Sequence, residues 1–376
     1  MKKTLLLLLA MSMVLFAIIS APADGEIIKI GGIGVLTGPE ATYGLAVKNG
    51  ADLYIDELNS AGGINGKKVE ILWMDSQGDP GVGQAAYYRL VENEEVAAII
   101  GAVITNVTKA IAVSAAEDGF PIISASSTAY EITTDRPNVF RTCFIDPFQA
   151  VMIARYMNSK GVDNIGVLYD VGDEYSTGLY NSFVSECESL GLKIVATESA
   201  AFSDVDFKSQ LTNIKNANPS AIFLPYYGAP AAYILKQANE IGLDVPFYGA
   251  DGISNVTDAI GDYSLLKNVI YSDHFSSDAS SEEAQKFLTG YEAKYGEKPS
   301  LAFSATAYDA ALVLTKAIEK AGSVDPQAII AAMKETDVQG VTGNITFDDH
   351  NDPIKSAFFT GFDENGNKIF IERMDP

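Results

Sequence analysis

The sequence predicts an α/β protein with two lobes, each built on a doubly wound parallel sheet, joined by three crossovers of the chain. Its 376 residues exceed what one hydrophobic core usually supports, which favours two lobes. Apolar, strand-like runs alternate with amphipathic, helix-like stretches, as is typical of a parallel sheet covered on both faces. The alternation stops near residue 141 and restarts at residue 164, which indicates a second unit of the same kind.

The first unit reads as strands and helices in regular alternation. A helix is predicted over Tyr43–Ser60, where the apolar residues fall on one side, and Ala61-Gly62-Gly63 ends it. Further helices are predicted over Val82–Glu92 and Asn106–Glu117. The predicted strands are the apolar runs Ile27–Leu36, Lys68–Asp75, Val96–Ile100 and Pro121–Ser124.

The second unit repeats this order after a polar crossover at Arg141–Ala150. Its predicted strands are Asn164–Tyr169, Leu192–Glu198 and Ala221–Pro225, and its predicted helices are Ser176–Leu190, Asp206–Asn216 and Ala229–Ile241. Two more helices are predicted over Ala302–Ala321 and Pro326–Glu335. The chain then ends in two strand-like runs that turn at Asn365-Gly366-Asn367, which predicts a hairpin.

The amino-terminal segment has the layout of a secretory signal peptide. Lys2 and Lys3 precede the apolar run Leu5–Ile19, and small residues follow at Ala21-Pro22-Ala23. We therefore expect residues 1–23 to be removed and the protein to be exported, periplasmic or extracytoplasmic, and soluble. A retained membrane anchor is the alternative, but the apolar run is shorter than the roughly 20 residues that a membrane span needs.

Charge and cysteine content limit the partners of this protein. The formal net charge is −23, and so acidic a surface repels nucleic acid and anionic lipid. We therefore expect neither as a partner. Cys143 and Cys187 are the only cysteines. Export would permit a disulfide between them, and the sequence leaves open whether they pair or remain two buried thiols.

A glycine-rich loop follows the first predicted strand, and two interpretations of it lead to different functions. Gly32 and Gly34 fit the first pair of the dinucleotide-binding pattern G-x-G-x-x-G. The third position is Thr37, and the acid at the end of the second strand, Asp75, lies about twice as far along the chain as that pattern requires. The loop is better interpreted as the lip of a binding cleft.

The same region resembles a known protein family. The similarity begins with the segment GVLTGPEATYGLAVKNGADLYIDELNSAGGINGKKVEILWMDSQGDP and continues at IIGAVITNVTKAIAVSAAEDGFPIISASSTAYEIT, VFRT, DEYSTG and FYGADGI. These segments resemble the branched-chain amino acid (Leu/Ile/Val) binding proteins of ABC transporters, which have the type I periplasmic binding fold. The resemblance implies a monomeric receptor whose two lobes close over a free amino acid. It also implies a membrane ABC permease as partner, and no cofactor.

The resemblance gives a division of the chain into lobes. The first lobe is expected to comprise residues 24–143 and about 273–353, and the second residues 144–272 and about 354–376. The three crossovers are expected near Arg141–Pro147, Asp251–Ser272 and Asn351–Ile354. We expect Arg141 to brace the first of them.

The ligand's carboxylate is predicted to bind where strand Val96–Ile100 leads into a helix. Gly101 permits close approach of the backbone, and Thr105 can face an anion at the helix N-terminus. Plain N-capping by Thr105 is the alternative. The resemblance implies the ligand role, because a hydroxyl residue here binds the α-carboxylate in that family, although serine is the common residue there.

A second polar contact is predicted after strand Pro121–Ser124. Thr128 and Glu131 form a T-x-x-E pattern, so local helix capping is one interpretation of Thr128. The resemblance instead implies that the Thr128 hydroxyl and the main chain at Ser126 contact the ligand. Open α/β sheets bind ligands at the carboxyl ends of their strands, and this position favours the ligand role.

The second lobe is predicted to supply an acid and aromatic cover. Asp251 can be a turn former, as Asp-Gly often is, whereas the resemblance implies that it pairs with the ligand's ammonium group. By the same resemblance Tyr175 and Tyr226 cover the ligand from the closing lobe. Tyr43 lies at the lip of the cleft and Phe303 forms a side-chain wall.

The predicted pocket loops contain no Lys or Arg, which favours a neutral aliphatic or aromatic amino acid over aspartate or glutamate.

Catalysis is not expected. The only histidines, His274 and His350, occur in polar, loop-like sequence, and no hydrolase or metal-site motif is present. An amide or ester hydrolase is therefore a minor alternative. A ligand-sensing module for signalling is a closer one, since it would bind the same ligand.

Overall fold

The computed structural model describes residues 27–201 and 204–376, and the predicted signal peptide, residues 1–23, lies outside them. Strands β1 to β14 are Ile28–Gly34, Val69–Asp75, Ile99–Gly101, Ile122–Ser124, Val139–Arg141, Asn164–Asp170, Lys193–Ala200, Ala221–Leu224, Phe247–Gly249, Val269–Asp273, Asp337–Gly340, Gly343–Thr346, Ala357–Phe362 and Lys368–Met374. Helices α1 to α11 are Ala41–Ser60, Pro80–Tyr88, Thr105–Asp118, Asp146–Ser159, Glu174–Leu190, Lys208–Asn216, Gly228–Glu240, Thr257–Ile260, Glu282–Tyr295, Phe303–Ala321 and Pro326–Lys334. Over these described ranges, every helix is too short or too polar to cross a membrane.

The first sheet has the strand order β2-β1-β3-β4-β5, and all of its strands run parallel. Strands β3, β4 and β5 are entirely buried, as expected of a parallel sheet covered by helices. Because β2 and β3 lie on opposite sides of β1, the segments that follow β1 and β3 diverge. They leave a crevice at the carboxyl ends of these two strands, where open α/β sheets bind ligands.

The second sheet repeats this topology. Its parallel part has the order β7-β6-β8-β9-β10, and the equivalent crevice lies between the carboxyl ends of β6 and β8. Strands β13 and β14 extend this sheet as an antiparallel hairpin. The predicted fold class, an α/β protein with two doubly wound parallel-sheet lobes, is therefore confirmed.

The packing of apolar side chains follows the two sheets. One continuous core surrounds the first sheet and includes residues of α1, α3, α9, α10 and α11. The second sheet has a separate core on each face, one formed with α6 and α7 and the other with α4 and α5. The chain thus passes between lobes three times: between β5 and α4, between β10 and α9, and between β12 and β13. The predicted residue boundaries of the lobes stay predictions.

The crossover predicted at Asp251–Ser272 is wrong. These residues remain in the second lobe, because Ile253, Val256 and Ile260 pack into one of its cores and β10 pairs with β9. The chain leaves that lobe only after Asp273. Several elements were not predicted, namely β5, α8, β10, the β11–β12 hairpin and the 14-residue helix α9. Helix α4 begins inside the segment expected to be a polar crossover.

The two cysteines are buried, unpaired thiols. Burial raises the pKa of the Cys143 thiol, and raises that of Cys187 to about 12. We expect neither thiol to react with a thiol-specific reagent in the folded protein near neutral pH, because the thiolate is the reactive form. Denatured protein kept without reductant should react at two thiols per chain. A lower count after denaturation would contradict this assignment.

Candidate ligand-binding site

The crevices of the two sheets face each other across the cleft and enclose one small cavity. Residues from both lobes line the cavity. They are Tyr43, Val103, Ile104, Thr105, Ser126, Thr128, Tyr175, Tyr227, Asp251, Gly252 and Phe303.

Seven of the eight predicted ligand residues line this cavity, namely Tyr43, Thr105, Ser126, Thr128, Tyr175, Asp251 and Phe303. Tyr226 does not. It packs into the core of the second lobe beside Phe207, and the next residue, Tyr227, lies in the cavity instead. Tyr227 has extended backbone at the start of α7, and consecutive residues of extended chain direct their side chains to opposite sides.

On the first-lobe side, the N-terminus of α3 faces the cavity. Its N-cap residue, Ile104, provides no side-chain hydrogen bond, so the backbone N–H groups of the first turn lack an intrahelical or side-chain acceptor. Thr105, the first helical residue, is buried. Free N–H groups and the positive end of the helix dipole together bind anions. This side of the cavity is therefore suited to a carboxylate.

The loop after β4 contributes Ser126 and Thr128. The alternative interpretation of Thr128 as a helix cap does not match the structure, because only a short 3₁₀ turn follows and no side chain caps it. The Ser126 hydroxyl donates to the Val103 carbonyl oxygen at 3.0 Å, which leaves its oxygen free to accept. The loop therefore presents hydroxyl oxygens beside the anion-binding helix end.

Arg141 holds this loop in place from beneath. Its Nη1 donates to the carbonyl oxygens of Ser127 at 3.1 Å and Ala129 at 2.8 Å, and Nη2 donates to Thr133 Oγ1 at 2.6 Å. Nε lies 2.6 Å from Asp352 Oδ1 in a buried ion pair. Arg141 therefore ties the loop that carries Thr128 to the third crossover, which agrees with the bracing role expected for it.

On the second-lobe side, Asp251 presents a buried carboxylate. Tyr175 Oη and Gln149 Nε2 each donate to its Oδ1 at 2.9 Å, and His274 Nε2 lies 3.1 Å from its Oδ2. Tyr175 Oη also accepts the Gly252 N–H at 2.8 Å, which fixes the backbone next to the acid. Asp251 is thus a preorganised anionic group with no Lys or Arg partner among the residues that line the cavity.

Three polar residues around Asp251 were missed by the sequence reasoning: Asp146, Gln149 and His274. Gln149 Nε2 bridges Asp146 Oδ1 and Asp251 Oδ1, at 2.9 Å from each. Burial, with a smaller effect of the nearby Asp251 charge, raises the pKa of Asp146. His274 was expected in a polar loop, but it is buried and its ring lies 3.7 Å from that of Phe144.

The sequence contains two patterns that could have indicated these residues. Asp146 and Gln149 are three residues apart, so they share a face of α4. His274 directly follows β10, a parallel strand whose carboxyl end points to the cleft. Neither signal could be used before the positions of α4 and β10 were known.

Aromatic rings form the remaining walls. The Tyr43 ring lies 5.8 Å from Phe303 and 5.7 Å from Tyr227, and Tyr227 stacks on Tyr175 at 4.9 Å between ring centres. Val103 and Ile104 add aliphatic surface. These walls suit an apolar ligand side chain. The cavity thus combines an anion-binding end, a buried acid and an apolar wall.

The chain matches a known protein family over most of its length. A family model described as periplasmic binding protein matches residues 27–367. A Pseudomonas aeruginosa protein named leucine-, isoleucine-, valine-, threonine-, and alanine-binding protein is 31% identical over 358 residues, which cover 94% of each chain. Both matches extend over the two lobes described above.

Solved structures give the same picture. The branched-chain amino acid transporter substrate binding protein LivJ from Streptococcus pneumoniae, in complex with isoleucine, matches with a TM-score of 0.87 and 31% identity, over 93% of this chain and 100% of that chain. The solute binding protein of an R. palustris ABC transporter, in complex with benzoate, matches with a TM-score of 0.84 and 23% identity, over 93% and 97%. The second likeness shows a shared fold alone.

Proposed function

Because this chain belongs to the periplasmic binding protein family, whose relatives are substrate-binding proteins of transporters and not enzymes, we propose that it is an exported amino-acid receptor. It captures a free neutral amino acid, aliphatic or aromatic, between its two lobes and delivers it to a membrane ABC permease. It acts as a monomer, without a cofactor, and closes by a hinge at the three crossings between lobes.

A single observation supports an amino acid most strongly: the charge arrangement of the cavity. An uncapped helix N-terminus lies on one side and the buried Asp251 carboxylate on the other, and no Lys or Arg lines the space between. A zwitterion satisfies both ends at once. A carboxylate without an ammonium group would bring no positive charge to Asp251, whose partners are Tyr175, Gln149 and His274. It would also place two carboxylates in one buried cavity, where like charges repel.

Each lining residue then has a role that fits its position. Thr105 and the first N–H groups of α3 bind the ligand's carboxylate. Asp251, with the main chain at Ser126 and the Thr128 hydroxyl, binds the ammonium group. The rings of Tyr43, Tyr227 and Phe303 form one apolar wall around the side chain. Tyr175 acts mainly through Asp251, since its hydroxyl is already bonded to that acid.

Calorimetric titration tests this proposal directly. We expect leucine, isoleucine, valine or phenylalanine to bind with a Kd in the micromolar range or below, and glutamate to bind at least about a hundredfold more weakly. The matched control is 4-methylpentanoate, which keeps the carboxylate and side chain of leucine but lacks the ammonium group. We expect it to bind about a hundredfold more weakly than leucine, as for loss of a buried charge-assisted interaction. Tight glutamate binding without binding of any neutral amino acid would overturn the proposal.

Transport and sensing are distinguished by an uptake measurement. Deletion of the protein is expected to abolish uptake of the labelled ligand, and the intact protein should restore it, whereas an Asp251→Ala variant should not. Unchanged uptake in the deletion strain, together with a lost response to the ligand, would instead favour a sensing module.

A further inference from the structure

The Tyr43 hydroxyl crosses the cleft and bonds to the opposite lobe. Tyr43 belongs to α1 in the first lobe and is buried. Its hydroxyl lies 2.5 Å from the Gly252 carbonyl oxygen and within hydrogen-bond distance of Asn255 Oδ1, so either atom can accept its proton. The hydroxyl oxygen accepts the Gly228 N–H at 3.1 Å. All three partners belong to the second lobe.

These partners are placed next to the ligand residues of the second lobe. Gly252 directly follows Asp251, and Gly228 directly follows Tyr227. One phenol of the first lobe therefore fixes the backbone beside both the proposed ammonium-binding acid and the aromatic cover. Burial raises the pKa of the Tyr43 phenol, which keeps it protonated and able to donate.

The local packing allows little room for another arrangement. A Cβ on Gly228 would lie 2.0 Å from Asn255 Oδ1, and a Cβ on Gly44 would lie 1.9 Å from the Val35 carbonyl oxygen. Glycine at position 44 lets the first turn of α1 rest on the end of β1, which carries Tyr43 into the cleft. Glycine at position 228 lets the N-terminus of α7 approach the phenol.

We propose that the Tyr43 hydroxyl is a latch that holds the lobes closed and positions Asp251. This inference rests on the proposed function, because it assigns a closing role within the same site. The phenol's hydrogen bonds join two lobes, so they exist only in the closed form. They add to closure independently of the ligand, whereas the Tyr43 ring serves as part of the apolar wall.

Two other polar contacts across the cleft are more exposed to solvent than those of the Tyr43 hydroxyl, and are therefore weaker. Thr42 Oγ1 donates to Asp258 Oδ2 at 2.9 Å, and Lys109 Nζ lies 2.7 Å from Glu174 Oε2. Both contacts are solvent-exposed or partly exposed, where hydrogen bonds and ion pairs contribute little. The Tyr43 phenol, in contrast, is buried. Its removal leaves the Gly228 N–H without its acceptor.

The test uses Tyr43→Phe, which keeps the ring and removes only the hydroxyl. Loss of the buried hydrogen bonds is expected to raise the ligand Kd by about 10- to 100-fold, mainly through faster dissociation. The matched control is Tyr54→Phe. It removes a buried phenol whose hydroxyl accepts from Thr315 Oγ1 within the first lobe, and should change Kd less than about threefold. Thermal unfolding of the ligand-free variants should be similar.

A second readout measures closure without any ligand. Thr42 and Asp258 face each other across the cleft rim, so a disulfide between Thr42→Cys and Asp258→Cys can form only when the lobes close. The native Cys143 and Cys187 are buried. Under a fixed oxidant, we expect Tyr43→Phe in this double-cysteine background to form the disulfide about tenfold more slowly, and Tyr54→Phe to leave the rate unchanged.

The two readouts separate this inference from the proposed function. If no amino acid binds, the proposed function fails, and the disulfide rate still tests the latch. Equal Kd and equal disulfide rates in Tyr43→Phe and in the parent protein would overturn the latch. If Tyr43→Phe folds poorly, Asn255→Ala provides the test instead. It removes one acceptor of the Tyr43 hydroxyl on the other side of the cleft, and it should also slow disulfide formation.

Discussion

Replacing Asp251 with alanine is expected to abolish amino-acid binding, raising Kd by roughly a thousandfold or more. Asp251 is the buried acid proposed to pair with the ligand's ammonium group. Removing one partner of a buried ion pair typically costs about 3–5 kcal/mol, because the other charge is left in a site without water. Asp251→Asn keeps the size of the side chain, so it isolates the charge and should weaken binding by a similar order. Calorimetric titration with the preferred ligand measures both variants.

Two controls show whether the loss of binding is specific to Asp251. Thr42→Ala removes a bond at the exposed rim of the same cleft and is expected to change Kd less than about twofold, since exposed polar contacts are worth little. Circular dichroism should show that Asp251→Ala retains the native fold. An Asp251→Ala protein of undiminished affinity would refute the assigned role and, with it, the proposed orientation of the ligand.

Among the variants described, Arg141→Met is expected to lower the free energy of unfolding most. The guanidinium is completely buried, pairs with Asp352, and donates to the loop that carries Thr128. Methionine of similar length leaves the buried Asp352 carboxylate without its ion-pair partner and removes the guanidinium hydrogen bonds to the loop carbonyl oxygens. The free energy of unfolding should fall by about 3–5 kcal/mol, measured by urea denaturation of the ligand-free protein.

Two further variants check the cause of that loss. Arg89 lies on the surface, with Nη2 3.7 Å from Glu94 Oε1, and Arg89→Met should change the free energy of unfolding by less than about 1 kcal/mol. Adding Asp352→Asn to Arg141→Met removes the stranded charge and should restore part of the stability. If the double variant is no more stable than Arg141→Met, the lost hydrogen bonds to the loop, and not the lost ion pair, account for most of the decrease in stability.

The long elements of this fold were predictable from the sequence because each has many residues of one periodicity. Helix α1 and the helix Phe303–Ala321 were found within about two residues of their ends, and the closing hairpin was found with its turn. Strand β5 and the β11–β12 hairpin were missed. They have three or four residues each and, unlike the equally short β3 and β4, they do not lie within a longer apolar run. Their existence depends on neighbours supplied by the rest of the fold.

The candidate site was predictable at the carboxyl ends of strands and less so elsewhere. Thr105 and Thr128 each follow a predicted strand, and Asp251 follows the three-residue β9. All three line one cavity, as the carboxyl ends of parallel strands require. The choice of Tyr226 over Tyr227 was wrong because a one-residue difference in a turn decides which side chain faces the cavity and which faces the core. No periodicity extends through such a turn.

By itself, the sequence determined the α/β class, the repetition of one topology in two lobes, and the strand ends that carry the polar residues. These follow from local patterns, since periodicity and turn chemistry act over a few residues. Only the tertiary structure decided that His274 and Gln149 surround Asp251, that the two thiols stay apart, and that the Tyr43 phenol bonds to the far lobe. The Gln149–Asp251 and Tyr43–Gly252 contacts join residues 102 and 209 positions apart. Hydrogen bonds depend on distance in space, which no local pattern encodes.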